Sequence, residues 1–301
     1  MSHSGAVEPR LDRRRALGAL LALAAVGAGC HRGAPASGPR RVVSISPSTT
    51  EAVYAIGAGA ELVGRSAFCD WPPEAVGLPA VGGFADPNVE AILALAPTLV
   101  VGAHGPAGPA LERTLNEHAV ATYFPETESL AQIGAMIEGL GRLVDRADAG
   151  RAAATALAGR CDAVTAVASR LPRGRAAMLF DVAPIVAAGP GGFPDELLRR
   201  ANADNVVTAG GAYPTLGIER LLVLDPDVLV DGASTGHAGS PSRVLAMRDA
   251  AGWRELGAMR RGAVRVLEGS AALRPGPRID EGLAALARAL HGSAFSPGAP
   301  P

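Results

Sequence analysis

The segment from Arg146 to Arg170, RADAGRAAATALAGRCDAVTAVASR, most constrains what this chain can become. Proline stands well before it at 125 and just after it at 172, with none between. Alanine, the strongest helix former, dominates it. Leu157, Cys161, Val164 and Val167 form an apolar stripe at helical spacing. At ~1.5 Å per residue such a helix runs ~35 Å, the depth of a small domain. Gly150 and Gly159 each weaken it by up to ~1 kcal/mol relative to Ala, so tertiary packing must help hold it.

The helix separates two similar stretches. Before it stands Glu90-AILALAP-Thr98-LVV, and after it Glu219-RLLVLDP-Asp227-VLV. With Glu90 set on Glu219, Leu93 falls on Leu222, Leu95 on Leu224, Pro97 on Pro226 and Val101 on Val230. Each stretch reads as a short amphipathic helix, a proline-marked turn and a buried strand. The chain is therefore expected to fold as two similar α/β lobes joined by one helix.

With 301 residues and 48% hydrophobic content, there is enough chain for two lobes with real cores. The net charge of −1 gives no electrostatic footprint for nucleic acid. All 28 basic residues are arginine, which excludes a Schiff-base lysine and a phosphate loop of the GxxxxGK type. Residues 1–30 read as an export signal: Arg13-Arg14-Arg15 precede an apolar run from Ala16 to Ala28 that is too short to span a membrane. Asp12-RRRAL resembles a twin-arginine signal, and an ordinary secretory signal also fits. Cys30 ends a stretch that resembles a bacterial lipobox, so the expected mature protein is a lipoprotein held at the periplasmic face. Cleavage nearby with a free or paired thiol is the other reading. Cys69 and Cys161 make no disulfide framework or zinc pattern, and Cys161 reads as a small buried hydrophobe.

Residues 31–40 read as a flexible tether and 41–144 as an N-terminal α/β lobe, with strands at Arg41-VVSIS, Leu62-VGRS, Leu99-VVG and Ala121-TYF. Ser48 and Glu51 form a capping-box pattern, and Pro87 sits plausibly at the first position of the helix carrying Glu90. The connecting helix takes 145–171, and 172–291 form the C-terminal lobe, with strands at Arg175-AAMLFDV, Asn205-VV, Asp227-VLVDG and Ala263-VRVLEG. Residues 292–301 read as a disordered tail. Strand–helix–strand order predicts parallel sheets with right-handed crossovers.

Ligands of open parallel sheets bind where strand carboxyl ends meet a crevice. The loops expected there carry Ser48, Phe68, Trp71, Phe84, His104, Tyr213 and Arg274. In a chain only 4% aromatic, that concentration of rings suits a large, flat, partly apolar molecule bound by stacking.

RVVSISPSTTE, FCDWPPEA, NVEAILALAP, GAYPTLGIERLL and LRPGPRI, in that order, resemble the cobalamin-binding proteins that feed bacterial ABC importers. More broadly the chain resembles the helical-backbone class of periplasmic binding proteins, over residues 41–290. The resemblance implies two Rossmann-like lobes with parallel sheets, one long rigid helix, small lobe motions and a monomer without cofactor. Its transported ligand would be cobalamin or a related corrinoid. It implies that Phe68, Phe84 and Tyr213 contact the corrin ring with Ser48 facing the ligand, that Arg274 makes a polar contact, and that Glu90 and Glu219 dock on a permease dimer. Ala103 and Ser270 depart from the pattern, standing where the cobalamin binders carry Trp and Asp.

Haem capture is the first alternative. Trp71, which cannot ligate iron, stands where haem binders place a tyrosine, and His104 is the remaining candidate. A siderophore would want several arginines, for which only Arg274 and Arg65 are at hand. The histidines show no metal-ligand spacing. No GxSxG, HExxH or GxGxxG motif supports an α/β enzyme.

Overall fold

The computed structural model describes Met1 and residues 39–105, 108–234 and 241–296. The export segment, Cys30 and nearly all of the tether fall outside the described residues. Four three- to four-residue strands, β1 (Val42–Ser44), β2 (Leu62–Arg65), β3 (Leu99–Val101) and β4 (Ala121–Tyr123), make a parallel sheet in the order β2-β1-β3-β4. Both β1 and β3 are buried along their whole length, as the centre of a sheet covered on both faces requires. Helices α1 (Pro47–Ala55), α2 (Val89–Ala94), α3 (Gly108–Glu117) and α4 (Leu130–Leu143) belong to this lobe. Asn88 caps α2 by accepting the Ala91 N–H at 3.0 Å, so the helix begins after Pro87 rather than on it.

The connecting helix α5 runs from Ala147 to Ala168. Beyond it, β5 (Gly174–Val182), β6 (Ile185–Ala187), β7 (Ala203–Asn205), β8 (Thr215–Leu216), β9 (Val228–Asp231) and β10 (Val264–Val266) form a second sheet. Its order is β10-β9-β5-β6-β8, with β7 beside the first half of β5. Helices α6 (Phe193–Arg200), α7 (Ile218–Leu224), α8 (Arg243–Ala246), α9 (Gly257–Arg260) and α10 (Ile279–His291) complete the lobe. Among the described residues, no helix is long and apolar enough to cross a membrane.

The second sheet corrects the expectation of parallel pairing throughout. β5 and β6 run antiparallel, as do β6 and β8. Val182 pairs with Ile185, so Ala183-Pro184 is a two-residue connection, which only an antiparallel pair permits. Asp181 Oδ1 accepts the N–H groups of Val182 and Ala183, at 2.7 and 3.3 Å, and supplies the turn chemistry.

One hydrophobic core crosses the lobe boundary through α5. Leu157 and Cys161 pack with Val42, Ile137 and Leu140 of the first lobe and with Met178, Leu197 and Leu283 of the second. Burial raises the Cys161 thiol to about 11, in keeping with a small buried hydrophobe. Arg160 grips Asp280 through two hydrogen bonds, 2.7 and 3.2 Å, tying α5 to the start of α10. The tail expected from residue 292 is ordered at its start: Gly292–Ala294 form a 3-10 turn that delivers Phe295, 4% exposed, into the same core.

The internal repeat extends to hydrogen bonds. Arg41 sends its guanidinium to the carbonyls of Leu95 and Ala96 at the end of α2. Arg175 does the same to Leu224 and Asp225 at the end of α7. The Arg41 N–H is accepted by Thr98 Oγ1 at 3.0 Å, and the Arg175 N–H by Asp227 Oδ2 at 3.3 Å. Ala96 and Asp225 both take a left-handed backbone, with φ of 45° and 39°. Leu95 with Leu224, Ala96 with Asp225 and Thr98 with Asp227 fall on the alignment of Glu90 with Glu219, while the two arginines match by their place beside the paired strand rather than by that spacing.

The two glycines of α5 differ in kind. Gly150 is buried where α4 and α5 cross: a Cβ there would lie 3.1 Å from the Gly141 Cα and 3.1 Å from the Ile137 carbonyl oxygen. Gly159 is exposed with open space beside it. Gly159→Ala is expected to stabilise the protein by about 0.5–1 kcal/mol. Gly150→Ala is expected to destabilise it by about 1–3 kcal/mol through overpacking. Thermal unfolding of both variants checks this, and shifts of the same sign would contradict it.

Candidate functional site

The loops that leave the carboxyl ends of β1, β2 and β3 meet those of the second lobe around a cavity of about 470 Å³. Its floor is the start of α1. The expected capping box is not formed there, because Ser46 rather than Ser48 occupies the helix-capping position and makes no side-chain cap bond. Ser46 Oγ accepts the Ala103 N–H at 3.0 Å and pairs with the hydroxyls of Ser48 and Thr49, at 3.1 and 2.8 Å. The hydroxyl-rich run SISPSTT thus locks the floor, with Ser48 facing the cavity.

Freed from capping, Glu51 points to the other lobe. Its side chain is 2% exposed and takes both Arg278 bonds at 2.9 Å and a longer one from Arg274 at 3.4 Å. A carboxylate this buried is tolerable only with such partners. Arg274 also bridges back to Asp70 in the first lobe, with Nη2 3.0 Å from Oδ2. That hydrogen bond holds the Asp70 carboxyl below its ordinary range. A depressed carboxyl keeps its pairing above the ordinary value and loses it only as pH falls below, so the bridge is charged at neutral pH. Gly276 lets this segment close on α1: a Cβ there would lie 3.1 Å from the Ser48 Cα.

Phe68, Phe84, Tyr213, Ser48 and Arg274 all line the cavity, joined by His104. Phe84 lies against Gly105, where a side chain would collide with the ring. Phe68 is 62% exposed at the mouth, its ring beside Gly83. The Tyr213 ring meets Phe180 at 5.7 Å between centroids, tilted by 60°. Its hydroxyl donates to Glu128 Oε2 at 2.9 Å across the cleft. Burial, reinforced by that carboxylate, raises the phenol above its ordinary value, so it stays protonated. His104 Nδ1 sits 3.6 Å from Glu126.

Trp71 does not join the cavity. It faces a neighbouring hollow of about 690 Å³ with Glu51, Tyr54 and Arg160, and the Arg278 guanidinium stacks 4.6 Å above its ring. Arg65 is also elsewhere, its three nitrogens consumed by the carbonyls of Ser66, Ala75 and Val76. Glu90 and Glu219 are exposed second residues of α2 and α7, one per lobe. Among the described residues, no group of three or more His, Cys, Asp or Glu could hold a metal ion. Sequence reading passed over Glu128, Phe193, Leu273 and Pro275 in the wall. Glu128 carries no local motif, and only its meeting with Tyr213 reveals it.

Comparison with known proteins gives a consistent picture. Residues 42–271 match the model of the periplasmic binding protein family. The chain is 31% identical over 242 residues to the vitamin B12-binding protein of Vibrio parahaemolyticus, covering 79% of this chain and 84% of that one. Among solved structures, the periplasmic vitamin B12 binding protein of Vibrio cholerae superposes with a TM-score of 0.69 at 27% identity, covering 83% of this chain and 96% of that one. A periplasmic haem-binding protein from Pseudomonas aeruginosa superposes as well, with a TM-score of 0.70 at 26% identity and coverage of 85% and 94%.

Proposed function

We propose, from the premise that this chain belongs to the periplasmic binding protein family, that it captures cobalamin or a related corrinoid between its lobes for an ABC importer. The family consists of substrate-binding proteins, not enzymes, and works in the periplasm. The supporting observation is a ring-lined cavity whose arginine is already neutralised: Arg274 is held by Asp70 and Glu51 before any ligand arrives. Phe68, Phe84 and Tyr213 offer apolar faces to a flat macrocycle, while Ser48 supplies a hydroxyl.

A haem-binding neighbour of equal likeness keeps haem as the second reading. Two observations weigh against it. The Tyr213 hydroxyl is engaged by Glu128, and Arg274, the guanidinium in the wall, is already paired and so offers little to a propionate. The proposal includes an N-terminal lipid on Cys30, a monomeric binding protein and delivery to a permease dimer through Glu90 and Glu219. Those two carboxylates stand equivalently on the two lobes, where charged rims steer a partner.

Isothermal titration of the mature protein with cyanocobalamin, dicyanocobinamide and haemin tests the cargo, with tightest binding expected for a corrinoid. Phe84→Ala and Tyr213→Ala are each expected to weaken corrinoid binding by about 1–3 kcal/mol through lost ring burial. Unchanged affinity in both would remove this cavity as the binding site. The pair Glu90→Ala and Glu219→Ala is expected to leave affinity intact and impair cellular uptake; normal uptake by that double variant would discard docking through these residues.

A further inference from the structure

We infer that Glu128 is a specificity-determining residue of this cavity: its carboxylate accepts amide N–H groups from a neutral corrinoid and repels tetrapyrroles that carry carboxylates. The inference rests on the corrinoid reading above. It begins from an imbalance among the charged groups in the wall. Arg274 is matched by Asp70 and Glu51, and His104 by Glu126. Glu128 also lines the cavity, yet among the described residues no cation pairs with it. Its side-chain partner is the neutral Tyr213 phenol on Oε2, and no hydrogen bond to Oε1 is seen among the described residues.

The position of the carboxylate is fixed from two directions. The Glu128 N–H donates to Gln132 Oε1 at 2.8 Å, which anchors the backbone at the start of α4. On the opposite lobe, the Tyr213 hydroxyl holds Oε2 at 2.9 Å, and Gly192 lies close by. A charged group in the wall of a cleft acts on a bound ligand at short range, where screening by salt is weakest. Toward a ligand it offers acceptor oxygens and a negative charge. A corrin ring carries peripheral primary carboxamides, each with two N–H donors, and such donors bind a carboxylate through charge-assisted hydrogen bonds. A haem carries two propionates, which would meet a like charge with no guanidinium left to offset it. Discrimination of this kind works through the unfavourable pairing as much as the favourable one.

The test compares the mature wild-type protein with Glu128→Gln, which keeps shape and removes charge, and with Tyr213→Phe, which removes the bridge and keeps the charge. Each is titrated with dicyanocobinamide and with haemin. Glu128→Gln is expected to gain at least tenfold in haemin affinity and to lose about three- to tenfold for dicyanocobinamide. Tyr213→Phe is expected to show no gain for haemin. An unchanged haemin affinity in Glu128→Gln overturns the inference, as does an equal gain in Tyr213→Phe. Wild-type protein that prefers haemin overturns the corrinoid reading separately, and the Glu128→Gln gain still decides whether this carboxylate repels anions. Failure of every variant to bind either probe overturns both.

Discussion

The buried carboxylate of Glu51 is the interaction on which the site depends. A charge 2% exposed costs several kcal/mol unless it is paired, and both of its partners come from the opposite lobe. The segment from Leu273 to Ile279 must therefore close against α1, and Gly276 permits the approach. Closure in turn presents Arg274 to Asp70 and sets Arg278 over Trp71. The chemical character of the cavity follows from this pairing. Its guanidinium is committed to carboxylates of the chain itself, and what remains on offer is rings, hydroxyls and, among the described residues, one carboxylate without a cation.

The same contacts limit motion between the lobes. A core shared through α5 and the Glu51 cluster both span the lobe boundary, and the Arg160–Asp280 pair fastens α5 to the second lobe. Opening the cleft by rotation would break buried apolar packing and expose a charge together. A cavity built this way is pre-organised, so the ordering cost that a hinged binder meets on closure is already borne by folding. Phe68, the most exposed of its rings, stands at the mouth, while Tyr213 is held by Glu128 and Phe180.

Much of this was legible in the sequence, for definite reasons. The repeat could be read because Glu90 and Glu219, Pro97 and Pro226 keep their spacing, and the structure carries the correspondence down to the carbonyls taken by Arg41 and Arg175. The connecting helix was visible in its alanines and its apolar stripe. The β5–β6 hairpin was not, because Ala183-Pro184 lacks the usual hairpin dipeptides and Asp181 supplies the turn from a neighbouring position. Glu51 was read as a helix cap because local spacing cannot see two arginines more than two hundred residues away. Trp71 was assigned to the cleft by its place in a loop after a strand, whereas it stacks under Arg278 and faces a neighbouring hollow. Local patterns carried the elements, and long-range charge decided where their side chains went.

The equivalence of the two lobes has its own consequence for the proposed docking. A partner with two-fold symmetry offers two identical receiving surfaces. A single asymmetric chain can satisfy both only if it carries the same local structure twice. Here each glutamate is the second residue of a short helix whose last carbonyls are clamped by an arginine at the start of a central strand. The left-handed turn that follows, at Ala96 and Asp225, fixes the path from helix to strand in the same way on both sides. The helices are short, at six and seven residues, so buried Ile92 and Leu221 and the arginine clamps at their ends hold them in place. What the repeat preserves is therefore more than the identity of two acidic residues: it preserves the helix end and the turn into the strand, while the helix starts differ, capped by the Asn88 side chain in one lobe and opened by Gly217 in the other.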